Sequence, residues 1–167
     1  YDRIMSDNIY VWQNTSGWNA VEWSACGLTA LRFWLPDKNE AARGARAAHL
    51  DGAPSFVRNA VRMLEHYFNG EGVDFNVLPV DMSGGSNFQI AVWTAARRIP
   101  YGHTVSYGEA ATMAGAPGAA RACGSALGAN PVPIIVPCHR VIGSDGSIGG
   151  FSIGVDIKTK LLDLERL

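Results

Sequence analysis

The chain has 167 residues, 47% of them hydrophobic, enough for one or two compact domains with a real core. No apolar run approaches the roughly 20 residues of a membrane span, and no charged-then-apolar leader is present. Fourteen basic against fifteen acidic side chains give a net charge of −1, so charge alone gives no sign of a nucleic-acid partner.

The halves differ: residues 1–85 hold 7 basic and 10 acidic side chains, and residues 86–167 hold 7 and 5, which leaves room for a local basic face on the second half. Three cysteines, Cys26, Cys123 and Cys138, form no CxxC pair. An odd count without paired spacing argues against a disulfide framework and for a reducing compartment, so a cytoplasmic protein without membrane association is expected.

In chain order, residues 9–13, 20–24 and 28–35 are short, aromatic and β-branched, and are separated by Gly17 and Gly27; they read as an antiparallel strand set. Cys26 falls in a turn of this set, with no second cysteine or histidine cluster at a metal-ligand spacing, and reads as a bystander. Pro54 opens a segment with Phe56, Val57, Ala60, Val61, Leu64 and Phe68 on one face, closed by Gly70, which predicts an amphipathic helix. Val73, Phe75 and Val77 alternate as a further strand, and residues 81–85 read as a linker. The expected boundary therefore divides the chain into residues 1–85 and 86–167.

Ser86 with Gln89, and Ser106 with Glu109, are capping boxes. The first opens a helix with the stripe Phe88, Val92, Ala95 and Ile99, ended by Pro100. The second opens a helix running to Gly115. A turn through Ala116-Pro117-Gly118 leads to another short helix over 119–127, stopped by Gly128; helix, glycine-containing turn and helix make a helix-turn-helix layout. The last of these helices presents Ala119, Ala120, Ala122, Gly124 and Ser125, with Arg121 as its one long cationic side chain. Two readings stand level: a small-residue helix packed in the core, or a smooth helix approaching a narrow groove by shape and backbone contact. Cys123 on this helix reads as buried filler.

The apolar run 132–136 reads as a strand leading into Pro137-Cys138-His139-Arg140-Val141. A free cysteine is ordinarily a small buried hydrophobe. His139 and Arg140 argue otherwise, because both are costly to bury without partners, whereas a thiol beside an imidazole suits nucleophilic chemistry. A turn at 143–147 and the glycine-rich stretch Gly149-Gly150-Phe151-Ser152 follow; such a stretch can bring backbone close to a flat ligand. The final helix, Val155–Leu164, carries Ile157, Leu161 and Leu164 on one face and is followed by Glu165.

The stretch 130–142, Asn130-Pro131-Val132-Pro133-Ile134-Ile135-Val136-Pro137-Cys138-His139-Arg140-Val141-Ile142, resembles the active-site signature of the O6-alkylguanine-DNA alkyltransferases. The likeness continues over residues 88–164, including Ile99-Pro100-Tyr101-Gly102, Val105-Ser106-Tyr107-Gly108-Glu109 and Ala119-Ala120-Arg121-Ala122. In the first eighty residues it is confined to pattern, at Leu64-Glu65-His66-Tyr67-Phe68 and Asp81-Met82-Ser83-Gly84-Gly85. The resemblance implies an α/β (α+β) protein. Its first domain would be mixed and ribonuclease H-like, with an antiparallel sheet and helices; its second would be mostly helical, with a winged helix-turn-helix-like DNA-binding module.

The resemblance also implies a monomeric, cofactor-free DNA repair protein; some family members carry a structural zinc in the first domain, but its ligand set is not seen in this sequence and no metal is expected. Its partner would be double-stranded DNA containing O6-alkylguanine, with O4-alkylthymine a further substrate. Residue by residue, Cys138 takes the alkyl group. His139, oriented by Glu165, deprotonates it through a water, and Asn130 braces the adjoining turn. Tyr107 and Ser152 bond the guanine, Val141 and Gly150 lend backbone to the pocket, and Arg121 fills the place of a base flipped through the minor groove, with Ala119, Ala120, Ala122, Gly124 and Ser125 against the DNA. Phe151 stands where the family often has tyrosine. Two rivals remain: a DNA-binding damage sensor without chemistry, whose relatives lack the cysteine, and a cysteine hydrolase, for which no oxyanion hole is evident in the sequence.

Overall fold

The aromatic and β-branched runs of the first 35 residues pair into one antiparallel sheet, β1 (Ile9–Asn14), β2 (Gly17–Trp23) and β3 (Leu28–Leu35), in the order β1-β2-β3. The computed structural model describes residues 8–166. β2 starts three residues earlier than the sequence suggests because Asn14 pairs directly with Gly17. Gly17 has φ +141°, and a Cβ there would lie 2.8 Å from the Leu35 carbonyl oxygen, so the tight approach of β2 to the end of β3 requires glycine.

Alternation along the strands sends side chains to two faces. Trp12, Val21, Leu31 and Phe33 pack on α2 (Ser55–Phe68), while Ile9, Val11 and Ala20 meet Ala41 of α1 (Lys38–Ala42). α2 buries Val57, Ala60, Val61, Leu64 and Tyr67, the i, i+3, i+4 stripe that drives an amphipathic helix onto a sheet. Full burial of each large apolar side chain contributes about 1.5–3 kcal/mol.

The alternation at Val73, Phe75 and Val77 does not make a strand. Residues Phe75–Val77 form a 3-10 turn in which Phe75 is buried and Val77 is 69% exposed. Asp74 caps that turn by accepting from the Asn76 amide at 3.0 Å, a local bond that competes with extended pairing. Strand-like pairing here is limited to a single parallel bridge between Val80 and Leu28.

The second half begins at α3 (Asn87–Ala96), and both halves of its Ser86–Gln89 capping box form. The helix ends four residues before Pro100, with Ile99 buried in the following turn. α4 (Tyr107–Met113) starts at the reciprocal Ser106–Glu109 box, and a turn with positive φ at Gly115 and Gly118 leads to α5 (Ala120–Gly128). Gly128 lies in the last turn of α5 and Ala129 follows as its cap. The Trp93 indole donates to the Ala126 carbonyl at 2.8 Å and pins α3 to α5.

Two short strands absent from the sequence reading, β4 (Val105–Ser106) and β5 (Val141–Ile142), pair in parallel, and α6 (Val155–Leu164) closes the fold. The apolar core of the first half does not stop at residue 85, since Val132, Ile134, Ile135 and Leu161 are buried in it. A second cluster gathers α3, α4 and α5 around Val136, Cys138 and Val141. Among the described residues no helix is long and apolar enough to cross a membrane.

Candidate functional site

The run 132–136, expected as a strand, is a buried turn. Asn130 starts it by accepting from the Val132 amide at 3.0 Å, and the Val136 amide returns to the Val132 carbonyl at 2.9 Å. Two prolines, Pro131 and Pro133, cannot donate to a ladder, and Ile134 has φ +71°, which no strand contains. A β-branched residue in the left-handed region costs on the order of 1–3 kcal/mol and persists only where its surroundings fix it. Ile134 and Ile135 are fixed by burial in the core of the first half.

This turn delivers Cys138 to a 3-10 turn spanning Cys138–Arg140. The Asn130 side-chain amide donates to the Val136 carbonyl at 2.8 Å and to the Cys138 sulfur at 3.1 Å. Cys138 is 6% exposed. Burial pushes its thiol up to about 11, against the pull of the Asn130 bond and the Lys158 charge. At pH 7 the resting thiolate fraction is then about one in ten thousand, smaller than an ordinary cysteine would give, so reactivity depends on a base that acts during the reaction.

His139 and Arg140 are buried and find their partner in Glu165. His139 Nε2 lies 2.6 Å from Glu165 Oε1, and Arg140 donates through Nε to Oε2 at 2.9 Å and through a terminal nitrogen to Oε1 at 3.0 Å. The other terminal nitrogen of Arg140 donates to the Ile99 carbonyl at 2.6 Å. Burial would raise the Glu165 carboxyl, but the bonds from His139 and Arg140 outweigh it and hold it down to about 2. Burial lowers His139 against the opposing pull of Glu165, so the resting imidazole is neutral. The Nε2 proton goes to the carboxylate, and Nδ1 has no partner among the described residues.

A cavity of about 410 Å³ opens over the sulfur, within the range of small-molecule sites. Tyr107, Arg121, Gly124, Ser125, Gly150 and Ser152 share its wall with Cys138. The first residue of α4, Tyr107, packs so closely on the glycine-rich stretch that a Cβ at Gly149, where φ is +71°, would lie 2.9 Å from its hydroxyl oxygen. Arg121 and Ser125 are exposed on α5. Ala119, Ala120 and Ala122 do not line the cavity; Ala122 is exposed and the other two are half-buried. Val141 is buried and contributes its carbonyl to Lys158.

Two residues of this site escaped the sequence reading. Lys158 is fully buried, with Nζ donating to the Val141 carbonyl at 2.7 Å and the Gly150 carbonyl at 3.3 Å, and lying 5.5 Å from the Tyr107 ring centroid. Its position gives a usable signal, since Lys158, Leu161 and Glu165 follow i, i+3, i+7 spacing and share the inward face of α6. Tyr67, from α2, is the other: its hydroxyl donates to Glu165 Oε1 at 2.7 Å. Among the described residues no group of three His, Cys, Asp or Glu side chains could hold a metal, and Cys26 is exposed and solitary.

Comparison with known proteins gives one consistent result. The family model described as 6-O-methylguanine DNA methyltransferase, DNA binding domain, matches residues 87–167. A methylated-DNA–protein-cysteine methyltransferase of Mycobacterium tuberculosis strain ATCC 25618 / H37Rv is 50% identical over 139 residues, covering 83% of this chain and 80% of the relative. The crystal structure of Mycobacterium tuberculosis OGT in complex with DNA aligns with 95% of this chain and 92% of its own at 40% identity, with a TM-score of 0.77. The O6-methylguanine-DNA methyltransferase of the archaeon Pyrococcus kodakaraensis strain KOD1 shares the fold at 24% identity, with a TM-score of 0.70 over 95% of this chain and 99% of its own.

Proposed function

The chain belongs to the methylated-DNA–protein-cysteine methyltransferase family, and from that premise we propose that it repairs duplex DNA by moving the alkyl group of O6-alkylguanine, chiefly methyl, onto Sγ of its own Cys138. The observation that carries this reading is the Cys138 sulfur itself, held 3.1 Å from the Asn130 amide on the wall of a base-sized cavity beside the His139–Glu165 pair.

In the proposed reaction the Cys138 S–H proton passes through one water to Nδ1 of His139, whose Nε2–H is already given to Glu165. The thiolate attacks the alkyl carbon in line, the S–C bond forms, and the C–O6 bond breaks with its electron pair going to the base. Tyr107 and Ser152 bond the departing guanine, so charge never accumulates fully on it. The proton taken up by His139 returns through water to the departing guanine, so thiol plus alkylguanine gives thioether plus guanine. A thioether offers water no leaving group, so each molecule reacts once.

The base in a duplex must leave the stack to reach a buried sulfur. We assign that step to the helix-turn-helix formed by α4 and α5, with Ala119, Ala120, Ala122, Gly124 and Ser125 giving a smooth surface to the minor groove. Arg121, exposed at the cavity mouth, would occupy the vacated place. Val141 and Gly150 lend backbone to the base. O4-alkylthymine presents the same alkyl imidate group, O–C=N, and is a second substrate.

Residues 1–85 and 86–167 are the two domains of this reading, and the protein acts as a monomer inside the cell, where its chromosomal substrate lies. Incubation with O6-methylguanine duplex followed by intact-protein mass tests the reading: one added methyl per chain supports it, and an unchanged mass overturns it.

A further inference from the structure

Glu165 accepts an unusual number of hydrogen bonds, and one of them comes from outside the second half of the chain. The Tyr67 hydroxyl, fully buried on α2, donates to Oε1 at 2.7 Å and lies 3.3 Å from His139 Nε2. A hydroxyl has one proton and two lone pairs. Because the carboxylate is the stronger and nearer acceptor, the proton goes to Glu165 and the oxygen lone pairs face the imidazole N–H.

We propose that Tyr67 is a positioning residue of the proton relay, bridging Glu165 and His139 so that Nε2 keeps its proton and Nδ1 stays open toward the thiol. The inference rests on the Cys138–His139–Glu165 reading above and adds a member supplied by the first half of the chain. The remaining groups around the pair are Arg140, bonded to both oxygens of Glu165, Lys158 on the inward face of α6, Cys138, and Tyr101, whose ring meets that of Tyr67 edge-on at 6.1 Å. Burial, with the Glu165 charge beside it, raises the Tyr67 phenol far above its ordinary range, so it remains a donor at every working pH.

When His139 takes the thiol proton, its positive charge spreads to Nε2–H, where the Glu165 carboxylate and the Tyr67 oxygen both lie within reach. Removing that oxygen weakens the thiolate–imidazolium pair without disturbing the ring packing of α2. Tyr67 thus acts through the two relay residues and touches neither sulfur nor base.

The test is Tyr67→Phe, with iodoacetamide modification of Cys138 followed by peptide mass from pH 7 to 12. The expected result is a rate about 3- to 10-fold lower below the titration of the thiol near 11, equal to a shift of half to one pH unit, with the gap narrowing above it. A superimposable profile, or one lowered by the same factor at every pH, would overturn the proposal. A second reading needs no variant: ring-nitrogen NMR of the wild type must show Nε2 protonated and Nδ1 bare, and the opposite tautomer also overturns it. Transfer from O6-methylguanine DNA by the wild type is measured in parallel, so that a failure of the repair reading is seen separately from a failure of Tyr67.

Discussion

The side-chain amide of Asn130 donates at once to the Val136 carbonyl and to the sulfur of Cys138, at 2.8 and 3.1 Å, tying the two ends of a turn whose middle residue, Ile134, has φ +71°. Replacing Asn130 with Ala removes both donors and the acceptor for the Val132 amide. The expected loss is about 1–3 kcal/mol in denaturant unfolding, the cost of stranding a buried polar partner. The Cys138 thiol should also titrate higher, since that bond draws it down, and pH-dependent alkylation reads the change.

Arg121→Ala should keep the fold and the free thiol but slow repair of duplex DNA far more than reaction with the free alkylated base. Arg121 is exposed at the mouth of the cavity, where a long cation can hold an extruded base's place but contributes nothing to chemistry on a base already free. Equal rate losses on both substrates would return α5 to a packing role.

Much of this was legible in the sequence where the signal is local. Both capping boxes and the α2 stripe formed as read, because each rests on contacts within one or two helical turns. The β-branched run 132–136 and the alternation at 73–77 misled for a shared reason: a strand needs continuous pairing, and beside the β3 edge the chain makes only isolated contacts, Pro131 to Leu31 and Val80 to Leu28. Prolines and the Asn130 and Asp74 side chains supplied competing local bonds instead. Glu165 was readable as a partner of His139, whereas its bond to Tyr67, 98 positions away in sequence, needs the tertiary fold. Lys158 escaped the sequence reading because its burial depends on the Val141 and Gly150 carbonyls, which only the tertiary fold brings to it.

Glu165→Gln should act on both the thiol and the stability. A carboxylate that stabilises imidazolium also stabilises the thiolate paired with it, so the Gln variant should show Cys138 alkylation shifted to higher pH. For stability the sign follows from a depressed carboxyl: the contribution is complete above the unfolded value of 4.5 and is lost as pH falls toward about 2. Urea unfolding of the two proteins should differ by up to roughly 3 kcal/mol near neutrality, and the gap should narrow across that acid window. A gap that stays constant from pH 6 to 3 would show that Glu165 does not carry this linkage.

The most direct test of the central claim is intact-protein and peptide mass after incubation with excess O6-methylguanine duplex. The account predicts a burst of one equivalent that then stops, a single methyl on the peptide containing Cys138, and no transfer by Cys138→Ala, which should still bind DNA because the proposed binding surface lies on α5. Continued turnover, binding without any mass change, or methylation at Cys26 or Cys123 would contradict it.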